Sequence, residues 1–292
     1  SFFSRLAVVL ITTFLSLGSA AVQADHTAPP ASVAIAGSLQ DELGCPGYWQ
    51  PDCAATELCE EDGIWQQSFA LPAGDWEYKA ALNDSWDENY GANATEGGSN
   101  IPLSIPGPES VKFYYDHKSH WVTDNVNSVI ATAAGSFQSA LGCPGDWQPE
   151  CAATHLVYDE GDTIWRAAFD VPAGDYEYKA ALNDSWDENY GANAVRDGAN
   201  IPLSLTAPQT VRFFYDHETH WITDSASSAI ASAPGSFQSE LGCSGDWQPD
   251  CLRSWLQDPD GDGIYSFSTD GIPEGDYEAK VGHKESWDEN DG

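Results

Sequence analysis

The sequence is poor in basic residues. Eleven Lys and Arg stand against 46 Asp and Glu over 292 residues, which gives a formal net charge of −35. DNA, RNA and anionic membranes are held by clusters of Lys and Arg, so we expect none of them as partners; a neutral or cationic ligand fits better. The chain also has no Met. The initiator residue is therefore missing, and we expect this sequence to be part of a longer polypeptide.

Long apolar runs are also scarce, apart from one near the N-terminus. Arg5 precedes an apolar run from Leu6 to Leu17, and small residues lead to Val22-Gln23-Ala24. A positive start, a short apolar core and a small-x-small site predict a signal peptide over 1–24 and a secreted, extracellular product that is not held in a membrane after cleavage. The run is short for a membrane span, although an uncleaved anchor is the alternative. Residues 25–32 are then a linker.

No long helical period occurs, and a repeat of about 100 residues takes its place. Cys45, Cys143 and Cys243 recur at intervals of 98 and 100 residues, and Trp86, Trp186 and Trp287 at 100 and 101. This period exceeds that of solenoid repeats and matches an immunoglobulin-like β-sandwich. We predict an all-β chain of tandem sandwiches: module 1 (33–126), module 2 (129–226) and a partial module 3 (229–292).

Module 2 shows the strand pattern most clearly. Alternating apolar residues and Gly or Pro turns predict seven short strands and leave little room for a mixed α+β domain. They are expected in GSFQSALG (135–142), at 155–159, 165–171, 176–182, 201–205 and 211–215, and from Trp221 onward. Module 3 lacks the later strands, so we expect it to be less stable. Short linkers predict a semi-rigid rod.

Cysteines occur in pairs eight positions apart around a Gly-x-Trp-Gln-Pro centre. The predicted disulfides are Cys45–Cys53, Cys143–Cys151 and Cys243–Cys251, because an exported chain favours local disulfides and no further soft metal ligands recur nearby. Each ring either presents its central Trp to a ligand or uses it to cap the core. Cys59 is the odd cysteine, and because Val157 is its counterpart we expect a buried thiol.

The recurring segment Ser-Trp-Asp-Glu-Asn, which follows a Pro-x-Gly-Asp turn and a strand, is the best candidate site. An apolar ring beside carboxylates and amides suits a sugar, which offers apolar C–H faces rimmed by hydroxyls. The alternative is a structural loop whose Trp folds back and whose Asp and Asn cap turns. The candidate carbohydrate-binding residues are Trp86, Asp87, Glu88, Asn89, Tyr90, Trp186, Asp187, Glu188, Asn189, Tyr190, Trp49, Trp147 and Trp247.

The same segment does not predict catalysis. Glycoside hydrolysis uses two carboxylates on either side of the scissile bond, and adjacent residues such as Asp87 and Glu88 point to opposite faces of an extended segment. A (β/α)₈ barrel requires about 250 residues of alternating strands and helices, and this chain shows no such pattern. We therefore predict no catalytic residue and no required cofactor.

Two further patterns could bind metal ions. Asp258, Asp260 and Asp262 resemble the start of a calcium loop, but Thr269 stands where an EF-hand has Glu, and an acidic hairpin turn is the alternative. Tyr115-Asp116-His117-x-x-His120-Trp121, repeated 100 residues later, has spacing compatible with zinc. A hairpin turn between the last two strands, with the Trp in the core, is the favoured interpretation.

Together these motifs resemble a known family. GSFQSELGCPGDWQPDC, the PAGDYEYKAALNDSWDENYG stretch and FYYDHxTHWVTD are similar to the X25-type accessory modules of secreted pullulanases, amylopullulanases and related α-amylase-family enzymes. The resemblance implies non-catalytic immunoglobulin-like (E-set-like) sandwiches that lie beside a catalytic barrel in the same polypeptide and assist binding of starch, pullulan or glycogen. The alternatives are purely structural spacers, or part of a polypeptide whose whole activity is α-glucan hydrolysis. Module 3 departs from the pattern at Val281–Lys284 and Asp291.

Overall fold

The computed structural model describes residues 28–61 and 63–291. The predicted signal peptide (1–24) lies outside the described residues. The described chain is all-β: short strands and single turns of 3₁₀ helix repeat in tandem, as predicted. No helix in this part of the chain is both long and apolar enough to cross a membrane. The boundaries given above for the modules remain predictions.

Module 1 consists of two packed sheets of four strands. One sheet has the order β1-β4-β5 with β6 also paired to β4, and the other has the order β2-β3-β7-β8. All pairs are antiparallel. The strands are β1 (Val33–Gly37), β2 (Cys59–Glu61), β3 (Ile64–Leu71), β4 (Gly74–Leu82), β5 (Asn89–Tyr90), β6 (Ile101–Ile105), β7 (Glu109–Asp116) and β8 (Val122–Asp124).

Module 2 repeats this plan with one difference. Its strands are β9 (Ala131–Gly135), β10 (His155–Asp159), β11 (Ile164–Val171), β12 (Gly174–Leu182), β13 (Ser185–Tyr190), β14 (Ile201–Leu205), β15 (Gln209–Tyr215) and β16 (Ile222–Asp224). The start of β10 pairs with β9, and its end, from Val157, pairs with β11. One strand therefore joins both layers into a single eight-stranded sheet.

Module 3 has four strands among the described residues, β17 (Ala231–Ser232), β18 (Trp255–Leu256), β19 (Val281–His283) and β20 (Ser286–Asp291). They form one sheet in the order β18-β17-β19-β20. This sheet corresponds to the β10-β9-β12-β13 half of module 2.

The alternating residues of facing strands fill each core. Tyr78, Phe113 and Tyr115 are fully buried in module 1, and the rings of Tyr78 and Phe113 meet edge to face at 5.0 Å. The Tyr78 hydroxyl donates to the buried Asp124 at 2.6 Å. The other oxygen of Asp124 accepts the backbone N–H of Val126. Since a buried carboxylate must be hydrogen-bonded, this network fixes the segment that leads to module 2.

The strand prediction for module 2 was correct at most positions and wrong at two. GSFQSALG is not a strand: β9 ends at Gly135, and Gln138–Leu141 forms a 3₁₀ turn, because the Gln138 side chain bonds to neighbouring backbone groups instead of facing a partner strand. The Ser-Trp-Asp-Glu-Asn segment was expected to be a loop. It forms β13, the return strand of a hairpin with β12, which raises the strand number from seven to eight.

Successive modules meet through equivalent side chains. Between modules 1 and 2, Lys112 and Tyr114 contact Asp184, the hydroxyl of Tyr114 at 2.8 Å, and His155 lies 2.9 Å from the other oxygen of Asp184. Between modules 2 and 3 the same positions hold Arg212, Phe214, Glu285 and Trp255, with Arg212 paired to Glu285 and Phe214 packed on Trp255. The geometry of the junction is thus built twice from different residues.

Candidate functional site

A two-residue turn sets up the candidate hairpin. Asn83 and Asp84 have φ values of 55° and 56°, and the Ser85 N–H donates to the Leu82 carbonyl at 3.2 Å. Two consecutive left-handed residues are the signature of the type I′ turn that matches the twist of a β-hairpin, and Asn and Asp tolerate this conformation. The turn directs the chain back along β4, with Trp86 near the start of the returning segment.

A second segment is held close to that hairpin by a disulfide and a buried amide. The predicted disulfide Cys45–Cys53 is present, as are Cys143–Cys151 and Cys243–Cys251. Gln40 is fully buried. Its Nε2 donates to the Gln50 carbonyl at 2.8 Å and to the Thr56 hydroxyl at 2.9 Å, and its Oε1 accepts the Gln50 N–H at 2.7 Å. The ring is therefore fixed from inside as well as by its covalent bond.

The central Trp of each ring has a left-handed backbone. The φ angle is 57° at Trp49 and 61° at Trp147 and Trp247. A bulky residue in this region is an outlier that the surrounding structure must impose. In module 1, the Trp49 N–H donates to the Gly37 carbonyl at 3.2 Å. A side chain at Gly37 would have its Cβ 2.2 Å from the Glu77 carbonyl oxygen. Only Gly therefore allows β1 to lie this close to β4 at the position where Trp49 is held.

The two predicted sets of Trp residues meet. The rings of Trp49 and Trp86 are 6.3 Å apart at 41°, and those of Trp147 and Trp186 are 6.2 Å apart at 43°, both within the range of interacting aromatic pairs. Trp86 and Trp186 keep 38% and 37% of their surface exposed. We call each pair a Trp platform. Trp247 and Trp287 are similarly exposed at 37% and 39%, but no ring contact joins them among the described residues.

Polar groups occupy the same hairpin as the module 1 platform. A hollow of about 470 Å³ is lined by Ser85, Asp87, Glu88 and Glu96, together with Leu82, Asn83 and Tyr90. In module 2, Arg196 stands where module 1 has Glu96, and its guanidinium donates to the Asp187 carbonyl at 2.9 Å. The hollow of module 1 is thus lined by carboxylates, whereas the corresponding place in module 2 holds a cation.

Several predicted site residues are occupied in holding the hairpin itself. The Asn89 amide donates to the Trp86 carbonyl at 3.0 Å, and Asn189 makes the same bond at 3.1 Å. The structural role of the Asn, left open by the sequence, is therefore the one observed. Asp87 and Asp187 remain exposed.

Tyr90 and Tyr190 face inward. They are 5% and 6% exposed, and the Tyr190 hydroxyl donates to Glu188 at 2.8 Å, as Tyr90 does to Glu88 at 3.0 Å. Burial and the bond to Glu188 raise the pKa of Tyr190. Their burial does not fit the expectation that these Tyr rings contact a ligand, so we leave both out of the proposed site.

The metal patterns have different outcomes. The ligand atoms of Asp258, Asp260 and Asp262 lie within 4.8 Å of one another, the only such group of three among the described residues; calcium there remains a prediction. Nδ1 of His120 lies 2.8 Å from the Tyr115 hydroxyl, and the segment between β7 and β8 forms the predicted hairpin turn. Its Trp was expected in the core. Trp221 is buried, at 6% exposed, whereas Trp121 is half-buried and its ring lies 6.2 Å from that of Tyr158 in module 2.

The expectation of a buried Cys59 thiol was wrong. Cys59 is free and exposed, as are the other two residues of β2. Sequence reasoning also missed the buried glutamines Gln40, Gln138 and Gln238. The signal was present, since each lies five residues before the first Cys of its ring.

Fold and site together define tandem β-sandwich modules that display exposed, paired tryptophans. The family described as the pullulanase X25 domain matches residues 32–122, 130–222 and 230–292, and the chain belongs to this family.

The chain is also similar to parts of longer proteins. It is 36% identical over 232 residues to an amylopullulanase of Thermoanaerobacterium thermosulfurigenes. The aligned region covers 75% of this chain and 12% of that protein. An amylopullulanase of Thermoanaerobacterium saccharolyticum is 35% identical over 232 residues, covering 75% and 17%. The chain thus spans less than a fifth of the length of these relatives. Pullulanase from Bacillus acidopullulyticus aligns over 66% of this chain and 28% of its own, with 17% identity and a TM-score of 0.30.

Proposed function

We propose that the chain is a set of non-catalytic accessory modules of a secreted amylolytic polypeptide, which bind α-glucan through the Trp platforms. A catalytic barrel in the same longer polypeptide would be the covalent partner. The observation that carries the proposal is the pairing of Trp49 with Trp86, and of Trp147 with Trp186, on exposed hairpins. A sugar ring stacks its C–H face on such indoles, and the relatives named above are amylopullulanases.

The local rigidity of the platform supports a binding role. A disulfide, a buried Gln and a left-handed backbone hold Trp49 in place, so little conformational entropy is lost when a ligand binds. Two platforms on connected modules would act together on one polymer, and such avidity can exceed the affinity of a single site by about 10²–10⁴ where the geometry allows both to engage. Strain held at a repeated position is typical of functional sites.

Affinity electrophoresis in gels that contain starch or pullulan tests the proposal. The wild-type chain should be retarded, and Trp86→Ala/Trp186→Ala should be retarded clearly less than wild type. Ile264→Ala is the matched control, because it removes a side chain that is 69% exposed and belongs to neither platform. Unretarded wild type would refute glucan binding. A double variant retarded as strongly as wild type would refute the platforms alone.

The structural spacer is the second candidate, favoured by the ion-paired junctions between modules. It predicts no retardation of any variant. The non-catalytic assignment has its own test: release of reducing sugar from pullulan or starch by the purified chain would overturn it.

A further inference from the structure

The two junctions also differ in the turn that faces the next module. In module 1, β2 and β3 are joined by the two residues 62–63, because Glu61 pairs with Ile64. In module 2, β10 and β11 are joined by four residues, because Asp159 pairs with Ile164. The longer turn of module 2 reaches module 3, where Asp162 accepts the Leu252 N–H at 2.7 Å.

A large side chain completes the packing at the second junction. Arg253 donates from Nε to the Gly161 carbonyl at 2.7 Å and from Nη2 to the Glu160 carbonyl at 2.8 Å. Ala153 occupies the equivalent position of module 2, two residues after Cys151 as Arg253 is two residues after Cys251. Between modules 1 and 2, the short turn and the small side chain together leave space that is filled between modules 2 and 3.

That space is part of a cleft of about 1220 Å³ between modules 1 and 2. Its size lies slightly above the usual range of small-molecule sites, about 300–1,000 Å³. The Trp121 and Tyr158 rings contribute aromatic walls from opposite modules, and Lys118, Ser119 and Glu160 contribute polar groups. The cleft continues along β11 beyond Arg166, where β10 has turned away to pair with β9.

We propose that this cleft is a second carbohydrate site, which holds a short α-glucan segment across Trp121 and Tyr158. The proposal rests on the proposed function for its ligand class. The mixture of lining residues argues for a sugar, because aromatic rings suit its C–H faces while ammonium, hydroxyl and carboxylate groups suit its hydroxyls. A polyanion would meet the exposed Glu160 and a chain of net charge −35. Both modules supply walls, so binding also braces the first junction.

Filling the cleft from within tests the proposal. Ala153→Arg places in it the side chain that module 3 carries, and Ala55→Arg adds the same side chain at the equivalent exposed position of module 1, outside the cleft. Both changes are made in the chain with all three modules, alone and in the platform-deficient background Trp86→Ala/Trp186→Ala/Trp287→Ala. Maltoheptaose binding is measured by calorimetry, and the amide signals of Ser119 and Ala153 are followed by NMR.

We expect the platform-deficient chain to retain maltoheptaose binding, with shifts at Ser119, and Ala153→Arg to weaken that binding at least about tenfold, equivalent to about 1.4 kcal/mol. Ala55→Arg should leave it unchanged. If the platform-deficient chain binds nothing while wild type binds, or if both Arg variants bind alike, the cleft proposal is overturned and the platforms stand. Binding that is lost with Ala153→Arg alone supports the cleft and removes the platforms. No binding by wild type overturns both.

Discussion

Replacing the buried Gln138 by Leu should loosen the disulfide ring of module 2 without breaking its covalent bond. Gln138 is fully buried. Its amide donates to the Gln148 carbonyl at 2.8 Å and to the Thr154 hydroxyl at 2.7 Å, and it accepts the Gln148 N–H at 2.7 Å. Leu has a similar volume but removes all three bonds. The Gln148 N–H then loses its partner, whereas the Gln148 carbonyl still accepts the Cys151 N–H and the Thr154 hydroxyl still donates to the Cys151 carbonyl. At about 1 kcal/mol for each of the three lost hydrogen bonds, the local cost is about 3 kcal/mol.

Native-state hydrogen exchange measures this cost where it falls. The Gln148 amide should exchange about a hundredfold faster in Gln138→Leu, since each 1.4 kcal/mol is a factor of ten. Gln209→Leu is the control: Gln209 is exposed on β15, and its change should stay within about 0.5 kcal/mol. Exchange at Gln148 that matches the control would show that the disulfide alone fixes the ring and would refute the role assigned to the buried amide.

Two further predictions concern the junctions. Burial raises the pKa of Asp162 to about 6, so the stability that its protonated carboxyl contributes is complete below the unfolded pKa of 3.8 and is lost as pH rises through about 6. In thermal unfolding, wild type should therefore lose stability relative to Asp162→Asn between pH 4 and 7. Parallel pH profiles of the two proteins would contradict this. Burial disfavours the charged form of Asp184, but the interactions with His155 and Lys112 outweigh burial and lower the pKa of Asp184. Asp184→Ala should therefore speed proteolysis between modules 1 and 2, whereas Asp84→Ala, at the equivalent exposed position of module 1, should not. Equal cleavage rates would show that other contacts hold the two modules together.

Local sequence patterns predicted the elements whose causes are local. Alternation placed β11, β12 and β15, because a strand with one buried face needs apolar residues at every second position. The eight-residue Cys spacing predicted all three disulfides, since residues so close in the chain meet without help from the rest of the fold. The 100-residue period predicted tandem sandwiches for the same reason: each module buries its own core.

Features that depend on contacts between distant segments could not be predicted from the sequence. The contact between Trp49 and Trp86 joins residues 37 positions apart on different elements, and no periodicity encodes it. The strand in GSFQSALG was mispredicted because the pattern cannot show that the Gln138 amide, rather than a partner strand, satisfies nearby backbone groups. Cys59 was judged from its counterpart Val157, but Val157 is itself only half-buried, so this position does not lie in a core in either module.

The repeated junction has a consequence for how such a chain can grow. Modules 2 and 3 each contact the preceding module through an acidic turn residue, Asp184 or Glu285. Module 2 also contacts the following module through a basic strand residue, Arg212. A module that has both the acidic turn and the basic strand can pair with a copy of itself through the same contact. Modules can therefore be added or removed without a new interface. The Trp platforms of modules 1 and 2 then lie at a fixed distance from each other. A polymeric ligand, which is itself a repeat, would meet them at regular intervals.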